Sequence, residues 1–314
     1  MANSVKNYVC ELTGDQIARL RELLQAKGWQ LDSIPYAHWR GRLAGKTAVA
    51  YQSGKLTVQG GDTADFVQFL LEPEILQVAR FGYEKELAEI ENPAMFEPHA
   101  GIDESGKGDF FGPLVIACCY TDADSARKLL EAGVTDSKAV SSDKKIAFLA
   151  DRIRSVCCGR FSLVSIGPEA YNRMYESFGN LNRLLAWGHA KALENLLEKV
   201  PACPRAISDQ FAASANTVKR ALLERGRRIV LEQRTKAEAD IAVAAASILA
   251  RAEFVRRLEV LGKTVGMVLP KGAGPAVPVC ASQIAAQGGR DALGKVAKLH
   301  FKTTADALNS IRQQ

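Results

Sequence analysis

The stretch Gly101-Ile102-Asp103-Glu104-Ser105-Gly106-Lys107-Gly108-Asp109-Phe110-Phe111-Gly112-Pro113 sets two adjacent carboxylates directly before a Gly-Lys-Gly turn. Neighbouring carboxylates repel, and both ionise readily only when a cation neutralises them; a divalent metal does this and also activates water for attack on phosphate. Glycines let backbone approach a phosphate closely, and Lys107 supplies positive charge. The segment therefore predicts a short strand, Gly101 to Glu104, that ends in a metal-binding acid, followed by a phosphate-gripping turn. Gly101-x-x-x-x-Gly106-Lys107 also has the spacing of a nucleotide-binding P-loop. That reading fails at Gly108, where a Ser/Thr is needed for magnesium, and at Pro113, where a helix should already be running.

Outward from this stretch, the apolar run Pro113 to Tyr120 reads as a buried strand, and the chain then alternates helices with strands. Helices are predicted near Ser125 to Gly133, after Ser141-Ser142-Asp143, over Asn182 to Lys199, over Asn216 to Arg225 and over Ala237 to Leu261. Strands are predicted about Gly159 to Ile166, at Arg205 to Ser208 ending on Asp209, and at Arg228 to Leu231. This is an α/β layer pattern. Upstream, a strand over Asn7 to Leu12, a helix from Thr13 closed by Gly28, a hairpin of Lys46 to Tyr51 with Lys55 to Gln59, and a helix over Thr63 to Leu71 capped by Asp62 describe a small α+β unit. Residues 1–85 are expected to form one domain, 86–98, with Asn92-Pro93 and Glu97-Pro98, a linker, and 99–314 a second domain.

The chain of 314 residues is 47% apolar, enough for proper cores. Its longest apolar runs fall short of the roughly 18 residues of a membrane span, and its first residues lead into no signal-peptide core. Seven cysteines with no C-x-x-C spacing read as small core residues of a reducing cytoplasm rather than as staples or zinc ligands. Residues 251–314 hold ten Lys/Arg against four Asp/Glu, the whole net charge of +6. This is either an electrostatic footprint for a phosphate backbone or a solvated face.

Other acids stand where chemistry can use them. Asp209 ends a short strand, the edge at which α/β proteins place site residues. Thr235-Lys236-Ala237-Glu238 reads as a capping box, with Glu238 bonding back to the Thr235 backbone; the Ala-rich helix behind it can lie close to a sheet and carry Glu238 toward the strand ends. Asp136-Ser137-Lys138 offers a serine and a lysine for phosphate oxygens. Of four histidines, His189 reads as packed within a helix, and His300, amid Lys298 and Lys302, is a candidate substrate contact.

With these residues assembled, the chain resembles the ribonuclease HIII branch of the ribonuclease HII family, the type 2 ribonucleases H that cut the RNA strand of RNA/DNA hybrids. The likeness is carried by Asp103 to Asp109, with lysine where the HII branch has arginine, and by Thr135-Asp136-Ser137-Lys138, Asn180-Leu181-Asn182, Ser208-Asp209-Gln210-Phe211, Thr235-Lys236-Ala237-Glu238 and Leu269-Pro270-Lys271-Gly272-Ala273-Gly274, in order. It implies a ribonuclease H-like catalytic domain, a mixed sheet flanked by helices, preceded by a TATA-binding-protein-like domain that grips the hybrid. It further implies catalysis and metal binding by Asp103, Glu104, Asp209 and Glu238, with Glu232 and Asp240 as rivals for the last place. Mg²⁺ or Mn²⁺ would be the cofactor, and 5′-phosphate and 3′-hydroxyl ends the products. Ser105, Gly106, Lys107 and Gly108 would hold the substrate and meet its 2′-hydroxyls, with Ser137, Lys138 and Lys271 as further contacts. The expected protein is a cytoplasmic monomer whose partner is the hybrid duplex. A non-catalytic hybrid-binding protein and a P-loop-like NTPase are the alternatives. The stretch beyond Gly274, with Pro275 and Pro278, departs from the family pattern.

Overall fold

The computed structural model describes residues 6–78, 81, 89–135, 137, 140, 142–209, 216–235 and 237–312. The chain divides into two compact units, residues 1–91 and 92–314; residues 86–88 of the expected linker lie outside the described residues. Among the described residues no helix is long and apolar enough to cross a membrane.

The first unit is an antiparallel sheet covered by helices. Strands β1 (Asn7–Glu11), β2 (Gln30–Asp32), β3 (Ala37–Leu43), β4 (Lys46–Tyr51) and β5 (Lys55–Gln59) lie in the order β1-β5-β4-β3-β2. Helix α1 (Gly14–Ala26) opens on a capping box in which Thr13 and Gln16 satisfy each other's backbone amides. Its Leu20 and Leu24 are fully buried against Trp39, Leu56 and Val58, each worth about 1.5–3 kcal/mol relative to exposure. The predicted hairpin and first helix are present; β2 and β3 were not anticipated. β3 does alternate, with Ala37, Trp39 and Gly41 inward, but its third inward position is a glycine packed under Leu31 and Trp29. The missing side chain blunts the hydrophobic signal. The helix expected over Thr63 to Leu71 is instead a short turn, α2 (Thr63–Phe66), that widens into a π-helical segment, Val67–Leu76. Pro73 lies inside that segment and has no amide to give an ordinary helix. Asp62 sits at φ 52° and makes no side-chain cap bond, contrary to expectation.

The second unit is built around β6 (His99–Ser105). With β7 (Leu114–Thr121), β8 (Phe161–Ile166), β9 (Arg205–Asp209) and β10 (Val230–Arg234) it forms a mixed sheet ordered β10-β9-β6-β7-β8. β6, β7 and β8 run antiparallel, whereas β9 and β10 run parallel to β6. Helices α3 (Ala123–Glu131) and α4 (Asp143–Cys157) start on the side chains of Asp122 and Ser142. Helix α5 (Pro168–Phe178), unanticipated, precedes α6 (Leu181–Lys199), whose Leu184, Leu185, Leu193 and Leu196 pack with Ile102, Leu114 and Ile116 of the sheet. Past β9 lies α7 (Asn216–Ala221), shorter than expected. The opposite face takes α8 (Ile241–Val265). This helix begins four residues later than the sequence predicts, after a 3₁₀ turn at Ala237–Ala239. Its cap is Asp240, which accepts bonds from the amides of Ala242 and Val243 at 2.9 and 3.2 Å. The chain ends in α9 (Ala276–Val296), kinked at Gly288 and Gly289, and α10 (Lys302–Arg312). All seven cysteines are free thiols.

Candidate active site

β6 and β9 pair in parallel through Ala100 with Ala206, Gly101 with Ile207 and Ile102 with Ser208. Asp103 and Asp209 follow directly on the last paired residues, Ile102 and Ser208, and so take neighbouring positions near the carboxyl ends of the two strands. Alternation puts both on the face that carries Gly101 and Ile207. That face takes the start of α8. A Cβ on Gly101 would lie 2.1 Å from the Ala242 carbonyl carbon and the Val243 nitrogen, so helix backbone rests directly on strand backbone. The close approach brings Ser247 to Asp103, where it donates a hydrogen bond; the Ser247 hydroxyl also meets that of Ser137 at 2.7 Å.

Glu104 points to the other face, toward α6. His189 Nε2 lies 3.0 Å from its Oε2, and Lys107 Nζ 3.5 Å from its Oε1. The second ring nitrogen of His189 meets the Ser208 hydroxyl at 3.0 Å. The two carboxyls therefore differ. Burial raises Glu104, but hydrogen bonds and charge from His189 and Lys107 outweigh it and hold the group below its ordinary value. Burial, and then the Glu104 charge, push Asp103 up to about 7 despite the bond from Ser247.

The turn after the acids needs its glycine: Gly106 has φ 91°, and a Cβ there would lie 2.2 Å from the Pro113 carbonyl oxygen. Lys107 is partly exposed beside Glu104. Downstream, Asp109 Oδ1 accepts from the Gly272 amide at 2.6 Å and the Phe110 amide donates to the Gly272 carbonyl at 3.0 Å. The Leu269 to Gly274 block thus lies against the Gly106–Gly112 loop. Lys271 itself pairs with Asp143.

Asp209 Oδ1 accepts from the Ala237 amide at 3.4 Å, which docks the 3₁₀ turn carrying Glu238 beside Asp209. The capping box expected at Thr235 to Glu238 is not formed. Helix α8 starts at Ile241, so Glu238 is not its third residue, and Asp240 caps instead. The rivals of Glu238 are engaged: Glu232 pairs with Arg205 and Arg234, and Asp240 with the buried His99 at 2.9 Å. Ser137 lies at α8 through Ser247 and through Arg251, which donates to its carbonyl at 3.1 Å. Asp136 and Lys138 lie outside the described residues.

The structure adds partners to two histidines, His189 and His300. His189 is buried as expected but is a partner of Glu104, and only the fold, which presses Gly188 against Ile116, brings it there. His300 stacks on Tyr175 at 4.3 Å and beside Tyr171 at 5.6 Å. Of the ten cations in residues 251–314, Arg251, Arg256, Arg257, Lys271 and Lys298 are held by Ser137, Glu253, Asp143 and the carbonyls of the 109–112 loop. Half of these cations therefore have partners within the protein, although Arg256, Arg257 and Lys271 remain exposed and only Lys298 of the five is buried.

Among the described residues no three His, Cys, Asp or Glu side chains close into a ready-made metal cage. The donor set still fits a hard divalent ion. It is all oxygen, it gathers carboxylates at adjacent strand ends, and Asp103 is raised first by burial and then by the charge of Glu104, a charge that a cation would offset.

A family profile described as Ribonuclease HII matches residues 100–304. A protein named Ribonuclease HIII from Protochlamydia amoebophila is 41% identical over 309 residues, 98% of this chain and 99% of its own. One of the same name from Chlamydia pneumoniae is 43% identical over 297 residues, 94% of this chain and 96% of its own. The crystal structure of Bst-RNase HIII in complex with Mn²⁺ superposes with a TM-score of 0.67 at 29% identity, covering 98% of this chain and 100% of that one. A core sheet whose acids end neighbouring strands, a Gly-Lys-Gly turn beside them and full-length relatives of one name place this chain in the ribonuclease HII family, in its ribonuclease HIII branch.

Proposed function

We propose that the chain is an endoribonuclease that hydrolyses the RNA strand of RNA/DNA hybrids, with Asp103, Glu104, Asp209 and Glu238 as its catalytic and metal-holding residues. The observation that carries this reading is the placement of Asp103 beside Asp209 at the ends of two parallel strands, with Asp103 pushed up by burial and by Glu104. Mg²⁺ or Mn²⁺ would bind these carboxylates; the Mn²⁺ complex of a 29%-identical relative favours this ion class. When bound, the metal supplies a neutralising charge and an activated water.

The chain's own residues do the rest. Asp103 accepts a hydrogen bond from Ser247, and Glu104 is oriented by His189 and Lys107. Lys107 and the backbone of the Gly106–Gly108 turn hold the scissile phosphate and meet the 2′-hydroxyl that separates RNA from DNA. Ser105 ends the strand that sets the turn, and Ser137 buttresses Ser247. Lys138 and Lys271 are more distant phosphate contacts; Lys271 must first leave Asp143. Residues 1–85 are the substrate-gripping domain and 99–314 the catalytic one. The protein acts as a cytoplasmic monomer and releases 5′-phosphate and 3′-hydroxyl ends.

The test is a labelled RNA/DNA hybrid incubated with Mg²⁺ or Mn²⁺, with EDTA, and with Asp103→Asn. Cleavage only with metal, lost in Asp103→Asn while hybrid binding persists, is expected. Cleavage in EDTA or by the variant overturns the mechanism, and ATP hydrolysis without nucleic acid would restore the P-loop alternative.

A further inference from the structure

We propose that Lys298 is a positioning residue for the substrate turn, a buried amine that fixes the Gly106–Gly112 loop by donating to the carbonyl oxygens of Asp109 and Gly112. The inference rests on the reading of Gly106–Gly108 as the turn that holds the hybrid. The lysine is fully buried. Its Nζ donates to the carbonyls of Asp109 and Gly112, both at 2.8 Å, lies 3.5 Å from that of Phe111, and stands 5.6 Å from the centre of the Tyr171 ring. Backbone bonds zip the same two segments together: the Gly112 amide to the Val296 carbonyl at 2.9 Å and the Lys298 amide to the Phe110 carbonyl at 2.9 Å.

The strap that carries Lys298 is itself anchored from α5. Asn172 Nδ2 donates to the Ala297 carbonyl at 3.0 Å, and its Oδ1 accepts from the Leu299 amide at 2.9 Å. One end of the loop is therefore fixed by β6 and the other by this strap, with Gly272 bracing it from the side. An ammonium is suited to the position because three carbonyls converge where few amides are left to meet them, and it has three N–H groups. Burying it is costly, and burial pushes Lys298 down to about 7. An apolar side chain of the same length would fill the space but leave these carbonyls without a donor. What Lys298 adds is a fixed path for residues 109–112, the backbone that follows directly on the Gly-Lys-Gly turn.

The closing experiment uses the full chain with Lys298→Met and Asn172→Ala, measuring kcat and KM on an RNA/DNA hybrid, thermal unfolding, and the rise in melting temperature on adding Mn²⁺. The expected result is a KM raised at least 10-fold by Lys298→Met, a smaller fall in kcat, and an unaltered Mn²⁺-induced shift, because the carboxylates stay in place. Lys298→Gln, which keeps two N–H donors, should give an intermediate KM. Asn172→Ala, which loosens the same strap and leaves the lysine, should raise KM in the same direction and carries the test if Lys298→Met does not fold. A lysine that only stabilises the fold would lower the melting temperature and leave KM of the folded protein unchanged, which would overturn the proposal. A Gln variant no better than Met would do so as well. If wild-type protein fails to cut the hybrid, the proposed function fails first; if it cuts and the variants keep its KM, this inference alone fails.

Discussion

The imidazole of His189 joins two neighbouring strands of the second unit's sheet, with Nε2 3.0 Å from the Glu104 carboxylate on β6 and Nδ1 3.0 Å from the Ser208 hydroxyl on β9. Glu104 therefore has its orientation set from beneath, as second-layer partners set metal-binding carboxylates generally. Replacing His189 by Phe keeps the volume near the sheet and removes both bonds. We expect kcat on a hybrid to fall about 10–100-fold, the range for losing such a partner, with the affinity for hybrid changed little. Equal loss of affinity and kcat would show that the ring supports the fold and not the acid.

Glu238 and Asp240 separate function from capping. Asp240 caps α8 and pairs with buried His99, whereas Glu238 is half-buried on the preceding 3₁₀ turn beside Asp209. Asp240→Ala should destabilise the protein by about 2 kcal/mol or more, from a lost cap and an unpaired buried histidine. Glu238→Gln should change stability by no more than about 0.5 kcal/mol yet abolish cleavage. Urea unfolding beside a cleavage assay reads both; an active Glu238→Gln protein removes this residue from the proposed site.

How much of this was legible beforehand follows from what each signal depends on. Asp103, Glu104 and the glycine turn are contiguous, so their chemistry can be read from one segment, whereas Asp209, at the end of a short apolar strand, is unremarkable until it is set beside them. The central strands β6, β7 and β9 and the long helices α6 and α8 have strong apolar patterns and fall within a few residues of expectation. The α8 start was misplaced because Thr-x-x-Glu and Asp240 are both good caps locally; the choice is made by His99, 141 positions away, which holds Asp240. The roles of His189, Ser247 and Lys298 depend on contacts of the same long range and leave no local trace.

Gly101 is a packing requirement. Any side chain there meets the backbone of Ala242 and Val243, atoms that no rotamer change can move aside. Gly101→Ala should cost about 3 kcal/mol or more, at the upper end for overpacking, and should weaken Mn²⁺ binding by displacing α8 from Asp103. A calorimetric melt within 2 °C of wild type, well inside the shift such a loss implies, would show that the helix has room to retreat.

The first unit has its own buried core around Leu20, Leu24 and Trp39, so the second should survive its removal. Deleting residues 1–91 is expected to weaken hybrid affinity at least 10-fold while the cleavage rate at saturating hybrid falls less. Unchanged affinity in a filter-binding or anisotropy titration would remove the gripping role proposed for that unit.

The raised Asp103 carboxyl makes the stability of the fold depend on pH. Its folded value, about 7, stands above the ordinary 3.8. For an acid this order means that the unfolded chain releases the proton more readily, so without metal Asp103 lowers stability progressively as pH rises from about 4 to 7, and fully above that. Asp103→Asn in EDTA should therefore melt higher than wild type at pH 8, with the gain gone at pH 4. Bound cation reverses the balance, since it favours the ionised form. Mn²⁺ should raise the melting temperature of wild type at pH 8 and raise that of Asp103→Asn far less. Equal Mn²⁺ shifts in the two proteins would place the ion elsewhere, and a variant less stable than wild type at pH 8 without metal would mean that the carboxyl is neutralised by the protein itself.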